Sequence, residues 1–275
     1  MEYFFDADKP HWTAWSKVQI VDKSWEYFST GKGKDDALPL YYASLGGFYD
    51  VAEHLVVKHP EHINAKGGLM VTPLVAALHG KHFQVAELLH RYGADVDVHG
   101  ASEHTALRQA CFHGILDIAR WLLDHGADAN AQGFQGFAAL HFAANRGHLP
   151  VCRMLIEHNV DIHNRNEFGE SPLHQAASPE VERDNIDIMQ VLLDYGADPN
   201  ARDNDGSTSL HFSSWRKRGN TWSSGKGTVE GTRLLLKHGA IIDAEDNEGK
   251  TPLQLALEHG RDDIATCLRE HGATR

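Results

Sequence analysis

Ser171-Pro-Leu-His-Gln-Ala-Ala177 places a hydroxyl residue, a proline, a leucine, a histidine and paired alanines in one short run, and the chain returns to that pattern along its length. The other versions are LPLYYAS from Leu38, TPLVAAL from Thr72, TALRQAC from Thr105, AALHFAA from Ala138, TSLHFSS from Thr208 and TPLQLAL from Thr251. Their starts are separated by 34, 33, 33, 33, 37 and 43 residues. Ser or Thr followed by Pro and an Ala-rich stretch is a helix start, because the hydroxyl caps the first free N–H groups and proline has no N–H to lose there. In the copy at Thr105, a first helix is expected from Ala106 to about Phe112, with Leu107, Ala110 and Cys111 on one face, ending at Gly114. A second helix is expected from Leu116 to Asp124, with Ile118, Ala119, Leu122 and Leu123 on one face, and Gly126 stops it in the left-handed conformation that glycine tolerates. One such pair cannot bury its apolar face alone, so copies must stack on their neighbours.

In most copies the second helix is followed by a closing signature, quoted at YGADVD (Tyr92–Asp97), HGADAN (His125–Asn130), YGADPN (Tyr195–Asn200) and HGAIID (His238–Asp243). A base period of 33, a T-P-L-H-x-A anchor and a G-A-D close resemble the ankyrin repeat, from about residue 33 onward. The resemblance implies an all-α solenoid of about seven helix-turn-helix repeats joined by hairpin-like loops, spanning 33–275. Residues 1–32 hold Trp12, Trp15 and Trp25 with Phe4, Phe5, Tyr27 and Phe28, too much aromatic area to leave wet, and are expected to cap the first repeat. The stretch DKPHWTAW from Asp8, with LPLYYASLGGFYDVAEHLVVKHPEHINAKGG from Leu38, is similar to the ankyrin tails of fungal NACHT-type receptor proteins. The last copy, with Arg269 and Glu270 on its second helix, reads as a polar-faced cap.

Composition narrows the function classes. The 275 residues carry 26 Lys and Arg against 38 Asp and Glu, a net charge of −12, which disfavours general binding to nucleic acid or anionic membranes. No apolar run approaches the roughly 18 residues of a membrane span. The acidic start, Met1-Glu-Tyr-Phe-Phe-Asp6, is unlike a basic secretory leader, so a cytoplasmic protein is expected, with nuclear entry left open. Cys111, Cys152 and Cys267 are odd in number and lack a C-x-x-C pair, which argues against a disulfide framework and a zinc knuckle. A monomer without cofactors is expected.

Two intervals exceed the base period by more than one residue, and insertions in repeat proteins emerge as loops. The first, near 178–185, is acidic and holds Pro179. The second, near 216–226, combines Arg216, Lys217, Arg218 and Lys226 with Trp215 and Trp222. Gly219 and Gly225-Lys226 imitate a phosphate-binding loop, but five residues separate the glycines and Gly227 stands where Ser or Thr is needed. The segment reads either as a solvated insertion or as a basic, aromatic handle for an acidic partner.

The 20 histidines are mostly periodic. His141, His174 and His211 share the anchor slot, His148 follows the mid-repeat glycine, and His125, His158, His238 and His271 share a slot at the second helix end. A repeated slot implies a repeated structural task, such as bonding a neighbouring loop. Outside the pattern lie His54, His59 and His62, and the set His79, His82, His104 and His113. No i, i+4 pair or cysteine partner supports zinc, so no metal ligand is assigned. Nor is there a G-x-S-x-G elbow, an H-E-x-x-H helix or a nucleophile with a base, and pairs such as Asp203/Asp205 and Asp262/Asp263 read as capping or solvated groups, so no enzyme is expected.

What remains is the surface of loop tips and first-helix ends, the concave face in ankyrin repeats, whose variable positions the resemblance implies are used to recognise proteins. Repeat position places Phe112, Phe134, Phe137, Arg146, Phe168, Trp215 and Arg216 there, and Trp222 joins them from the insertion. Aromatics interleaved with Arg have the composition of binding hot spots, while Phe134, Phe137 and Phe168 could equally pack on neighbouring loops. The expected function is a non-catalytic scaffold binding a protein or peptide. Two other readings stay open: an adaptor or sensor module of a larger signalling receptor, and binding of an acidic or phosphorylated ligand at the 216–226 loop.

Overall fold

A computed structural model describes residues 39–67, 72–98, 105–177, 185–214 and 228–274. The described residues form helices and turns without strands, and none of these helices is long and apolar enough to cross a membrane. Residues up to Ala106 with Asp124–Ala127 make one compact unit, and Leu107–Leu123 with the residues from Asp128 make a second.

The first unit holds two helix pairs, α1 (Pro39–Leu45) with α2 (Tyr49–Lys58), and α3 (Pro73–His79) with α4 (Phe83–Arg91), followed by the start of α5 (Ala106–His113). First helix packs on first helix and second on second: α1 lies against α3 and α2 against α4. Tyr41 and Tyr42 meet edge to face at 5.2 Å over Ala76, with Leu45 and Phe48 alongside. The second unit continues with α6 (Leu116–Asp124), then the pairs α7 (Ala139–Asn145) with α8 (Leu149–Glu157), α9 (Pro172–Ala177) with α10 (Ile186–Asp194), α11 (Ser209–Ser214) with α12 (Val229–Lys237), and α13 (Pro252–Glu258) with α14 (Asp262–Glu270). Neighbours again run α7–α9–α11–α13 on one side and α8–α10–α12–α14 on the other. Helices of 6 to 10 residues are below the length that is stable alone in water, so their stability comes from this stacking. Ala110, Ala143, Ala176 and Ala256 are all buried.

The expected local chemistry is present. Thr72 Oγ1 accepts from Val75 N at 3.4 Å, and Thr251 Oγ1 accepts from Gln254 N at 3.3 Å while Thr251 N donates back to Gln254 Oε1 at 3.0 Å. In the closing signature, Asp128 and Asp198 each accept the N–H two residues on, at 2.8 Å, which shapes the turn. The asparagine that ends it then reaches the next copy: Asn130 Oδ1 accepts from Asp161 N at 2.8 Å and Asn200 Oδ1 from Ile241 N at 2.7 Å. Thus the closing motif is a staple between copies.

Between second helix and next anchor, tight turns are closed by Asn166 N to Glu170 O, Asp203 N to Ser207 O and Asp246 N to Lys250 O, at 2.9 to 3.1 Å. Their tips are linked in series by Glu167 N to Gln135 O, Asn204 N to Phe168 O and Asn247 N to Asp205 O. This is the hairpin-like loop, with one backbone bond between successive tips rather than a strand ladder, joined by side-chain bonds from Asn204 to Glu167 O and Asn247 to Asn204 O. Gly136, Gly169 and Gly206 sit in these turns at φ between 72° and 77°, and a Cβ on Gly136 would lie 2.7 Å from Glu167 N. The cap at 1–32, and most or all of each insertion near 178–185 and 216–226, lie outside the described residues.

Candidate functional site

The second unit carries an aromatic strip across three consecutive copies. Phe112 at the end of α5 meets Phe142 of α7 at 5.6 Å, Phe142 meets Phe137 at 5.4 Å, and Phe137 meets Phe168 at 6.4 Å. The Arg146 guanidinium lies 4.0 Å from the centre of the Phe112 ring, and Arg108 lies 5.3 Å from Phe142. Phe112, Phe137 and Arg146 are half-buried, whereas Phe168 is 40% exposed and Phe134 is 55% exposed. Phe134 starts a short 3₁₀ turn, Phe134–Gly136, in which Gln135 takes a left-handed φ of 57°. Sequence position therefore brings Phe112, Phe137, Arg146 and Phe168 together, with two of the rings serving the packing as well as the surface. Trp215, Arg216 and Trp222 lie outside the described residues.

Two members escaped the sequence reading. Phe142 follows the anchor histidine, in a slot that holds Gln175 in the next copy, and an aromatic there was the available signal. Arg108 occupies the anchor slot itself, where the next three copies have histidine, and is only 2% exposed. At the Phe112 end, His113 is held below the ordinary imidazole range by burial first, then by the charges of Arg146 and His148. That end of the strip is locally basic within an acidic chain.

The periodic histidines perform the structural tasks their spacing implied. His141 Nδ1 accepts from Ala138 N at 3.2 Å, and its Nε2 reaches Glu170 O of the next copy at 3.0 Å. His174 and His211 repeat this, accepting from Ser171 N and Thr208 N and reaching Ser207 O and Lys250 O. An acceptor at Nδ1 requires the neutral ring with its proton on Nε2. Burial accordingly pushes His141 down to about 4, and burial also lowers His211. His148 Nε2 reaches Phe112 O at 3.1 Å, its ring lying where a Cβ on Gly114 would stand. His82 fills the same place against Gly47 and Gly80. At the helix-end slot, His125 meets Glu87 at 2.8 Å, His238 meets Gln190 at 3.3 Å and His271 meets Cys267 O at 2.8 Å.

The remaining candidates sort by the same means. Asp203 accepts from Asp205 N at 3.0 Å and Ser207 N at 2.7 Å, a turn-closing role; burial is the main cause that pushes its carboxyl up to about 6. Asp263 is held below the usual carboxylate range by its hydrogen bond to Arg261. All three cysteines are buried, and burial pushes the Cys111 thiol up to about 12, where it is a poor nucleophile. His104 lies outside the described residues. Among the described residues, three metal-ligating side chains converge at His59, Glu61 and His62, whose ligand atoms all lie within 4.8 Å of one another.

Comparison with known proteins matches the family model of ankyrin repeats, three copies to the model, at residues 40–133, 140–223 and 221–274. A stretch of 62 residues is 37% identical to alpha-latrocrustotoxin-Lt1a of Latrodectus tredecimguttatus, covering 22% of this chain and 4% of that protein. Neither match supports the narrower similarity to fungal NACHT-type ankyrin tails, whose Asp8–Trp15 stretch falls outside the described residues. With stacked helix pairs, anchors capped at Thr72 and Thr251, closing turns stapled at Asn130 and Asn200, and a family match over most of its length, the chain belongs to the ankyrin repeat family.

Proposed function

We propose that this chain is a non-catalytic scaffold that binds a protein or peptide along the strip Phe112–Phe142–Phe137–Phe168, with Phe134 at its outer edge and Arg146 at its basic end. Ankyrin repeats generally mediate protein–protein interaction, and the observation that supports this strip as the contact is the continuous run of rings at 5.4 to 6.4 Å ending in exposed Phe168. Rings already locked against one another lose little freedom on binding, and aromatic and Arg side chains supply most hot-spot energy. The fitting partner is a segment with an apolar anchor for the rings and a carboxylate toward Arg146. The strip lies on the side of hairpin tips and first-helix ends, concave in this family.

Peptides selected from a random library on the immobilised chain are expected to combine aromatic or aliphatic residues with Asp or Glu. Phe134→Ala with Phe168→Ala removes two exposed rings without emptying the core, and is expected to weaken the selected peptides at least tenfold (about 1.4 kcal/mol) with circular dichroism unchanged. Unchanged affinity in that variant would sink the assignment to this strip.

A further inference from the structure

The turn after α2 reads His59-Pro60-Glu61-His62, and Pro60–His62 form a single 3₁₀ turn. A 3₁₀ helix has three residues per turn, so positions i and i+3 eclipse. His59 and His62 accordingly stack, with ring centres 5.1 Å apart and planes 16° from parallel. Pro60 fixes the first backbone angle of the turn, and the His59 N–H is tied to Leu55 O at 2.8 Å, so both rings project from an anchored backbone. Glu61 stands between them: its Oε1 is 3.3 Å from His59 Nδ1 and 3.6 Å from His62 Nε2.

We infer that His59, Glu61 and His62 form a binding site for a divalent transition-metal ion of the zinc type. Donor atoms around a tetrahedral ion with bonds of about 2.1 Å stand about 3.4 Å apart. The two measured separations, 3.3 and 3.6 Å, are close to that edge, and the third pair is within 4.8 Å; binding requires the two stacked rings to turn so that their in-plane lone pairs converge on the ion. Two imidazoles and one carboxylate suit zinc, copper, nickel or cobalt, whereas calcium and magnesium prefer oxygen donors throughout. The side chains are 41%, 62% and 30% exposed in the order 59, 61, 62, so water reaches the remaining coordination positions. The site also lies at the C-terminal end of α2, a ten-residue helix whose carbonyl end favours a cation. Spacing rules for α-helices pass over this pair, because i, i+3 overlap belongs to the tighter turn.

The test titrates Zn²⁺ alone into the full chain, beside the double variant His59→Ala/His62→Ala and the single variant Glu61→Gln, with circular dichroism confirming an unchanged fold. One equivalent is expected to bind the wild type, with affinity at least tenfold lower in the double variant and several-fold lower in Glu61→Gln. The chain holds 20 histidines, so an equivalent of the same affinity in the double variant would place the ion elsewhere and overturn the assignment. Absence of binding at about 1 mM Zn²⁺, well above the range of any specific three-ligand site, would overturn it equally.

Discussion

His141 shows how one residue couples two repeats. Its ring accepts from its own helix start and donates to Glu170 O, fully buried, with its proton affinity lowered to about 4. An unfolded histidine titrates near 6.5, so between those values the unfolded chain binds the extra proton. The neutral ring's contribution is therefore complete above about pH 6.5 and is lost as pH falls toward 4, amounting to about 3 kcal/mol for a shift from 6.5 to about 4. Asp203 acts in the opposite sense, since its raised proton affinity opposes folding as pH climbs toward 6, so total stability understates the histidine effect. Comparison with His141→Gln isolates it, because the last repeat uses Gln254 in this slot to accept from Thr251 N. Thermal unfolding followed from pH 7 to pH 4 should fall more steeply in the wild type than in His141→Gln. Parallel profiles would show that His141 is not the titrating group.

At the scale of the element, short helices depend on what ends them. Gly114 terminates α5 at φ 71°, and a Cβ there would stand 2.5 Å from His148 Nδ1, in a ring held by its bond to Phe112 O. Gly126 terminates α6 at φ 89° with open space around its Cα. Gly126→Ala carries only left-handed strain, about 1 kcal/mol, whereas Gly114→Ala adds displacement of His148 and is expected to cost about 2 to 3 kcal/mol. Urea unfolding of the two variants measures the difference, and equal losses would mean that His148 moves aside freely. Both glycines are visible as stops in the sequence. Their inequality is not, since it depends on a ring 34 residues further along the chain.

At the scale of the molecule, stability in each unit is a sum of neighbour contacts. Leu192 of α10 is completely buried, and α10 packs between α8 and α12. Leu192→Ala should cost about 2 to 5 kcal/mol through lost burial and the cavity left behind. Amide hydrogen exchange should accelerate most in α10 and the helices packed on it, α8, α9 and α12, and least in α14. Uniform acceleration through the second unit would indicate all-or-none opening instead of nearest-neighbour coupling.

The anchor at Ser171 and its relatives determined the helix pairs, their starts and their stops, because capping hydroxyls, helix-compatible prolines and left-handed glycines act within a few residues of themselves. In the copy at Thr105, expected bounds of 106–112 and 116–124 meet observed helices Ala106–His113 and Leu116–Asp124. Periodic histidines were equally legible as structural, since a slot repeated at a fixed interval meets the same environment each time. The aromatic strip was legible only in part: Phe112, Phe137, Arg146 and Phe168 were placed by repeat position, but Phe142 and the half-burial of Phe112 and Phe137 came from contacts between copies. The convergence of His59, Glu61 and His62 depended on a local change from α to 3₁₀ geometry, which sets which side chains eclipse. Which residues touch across repeats, and which groups lose their water, are properties of stacking, and no single repeat contains that information.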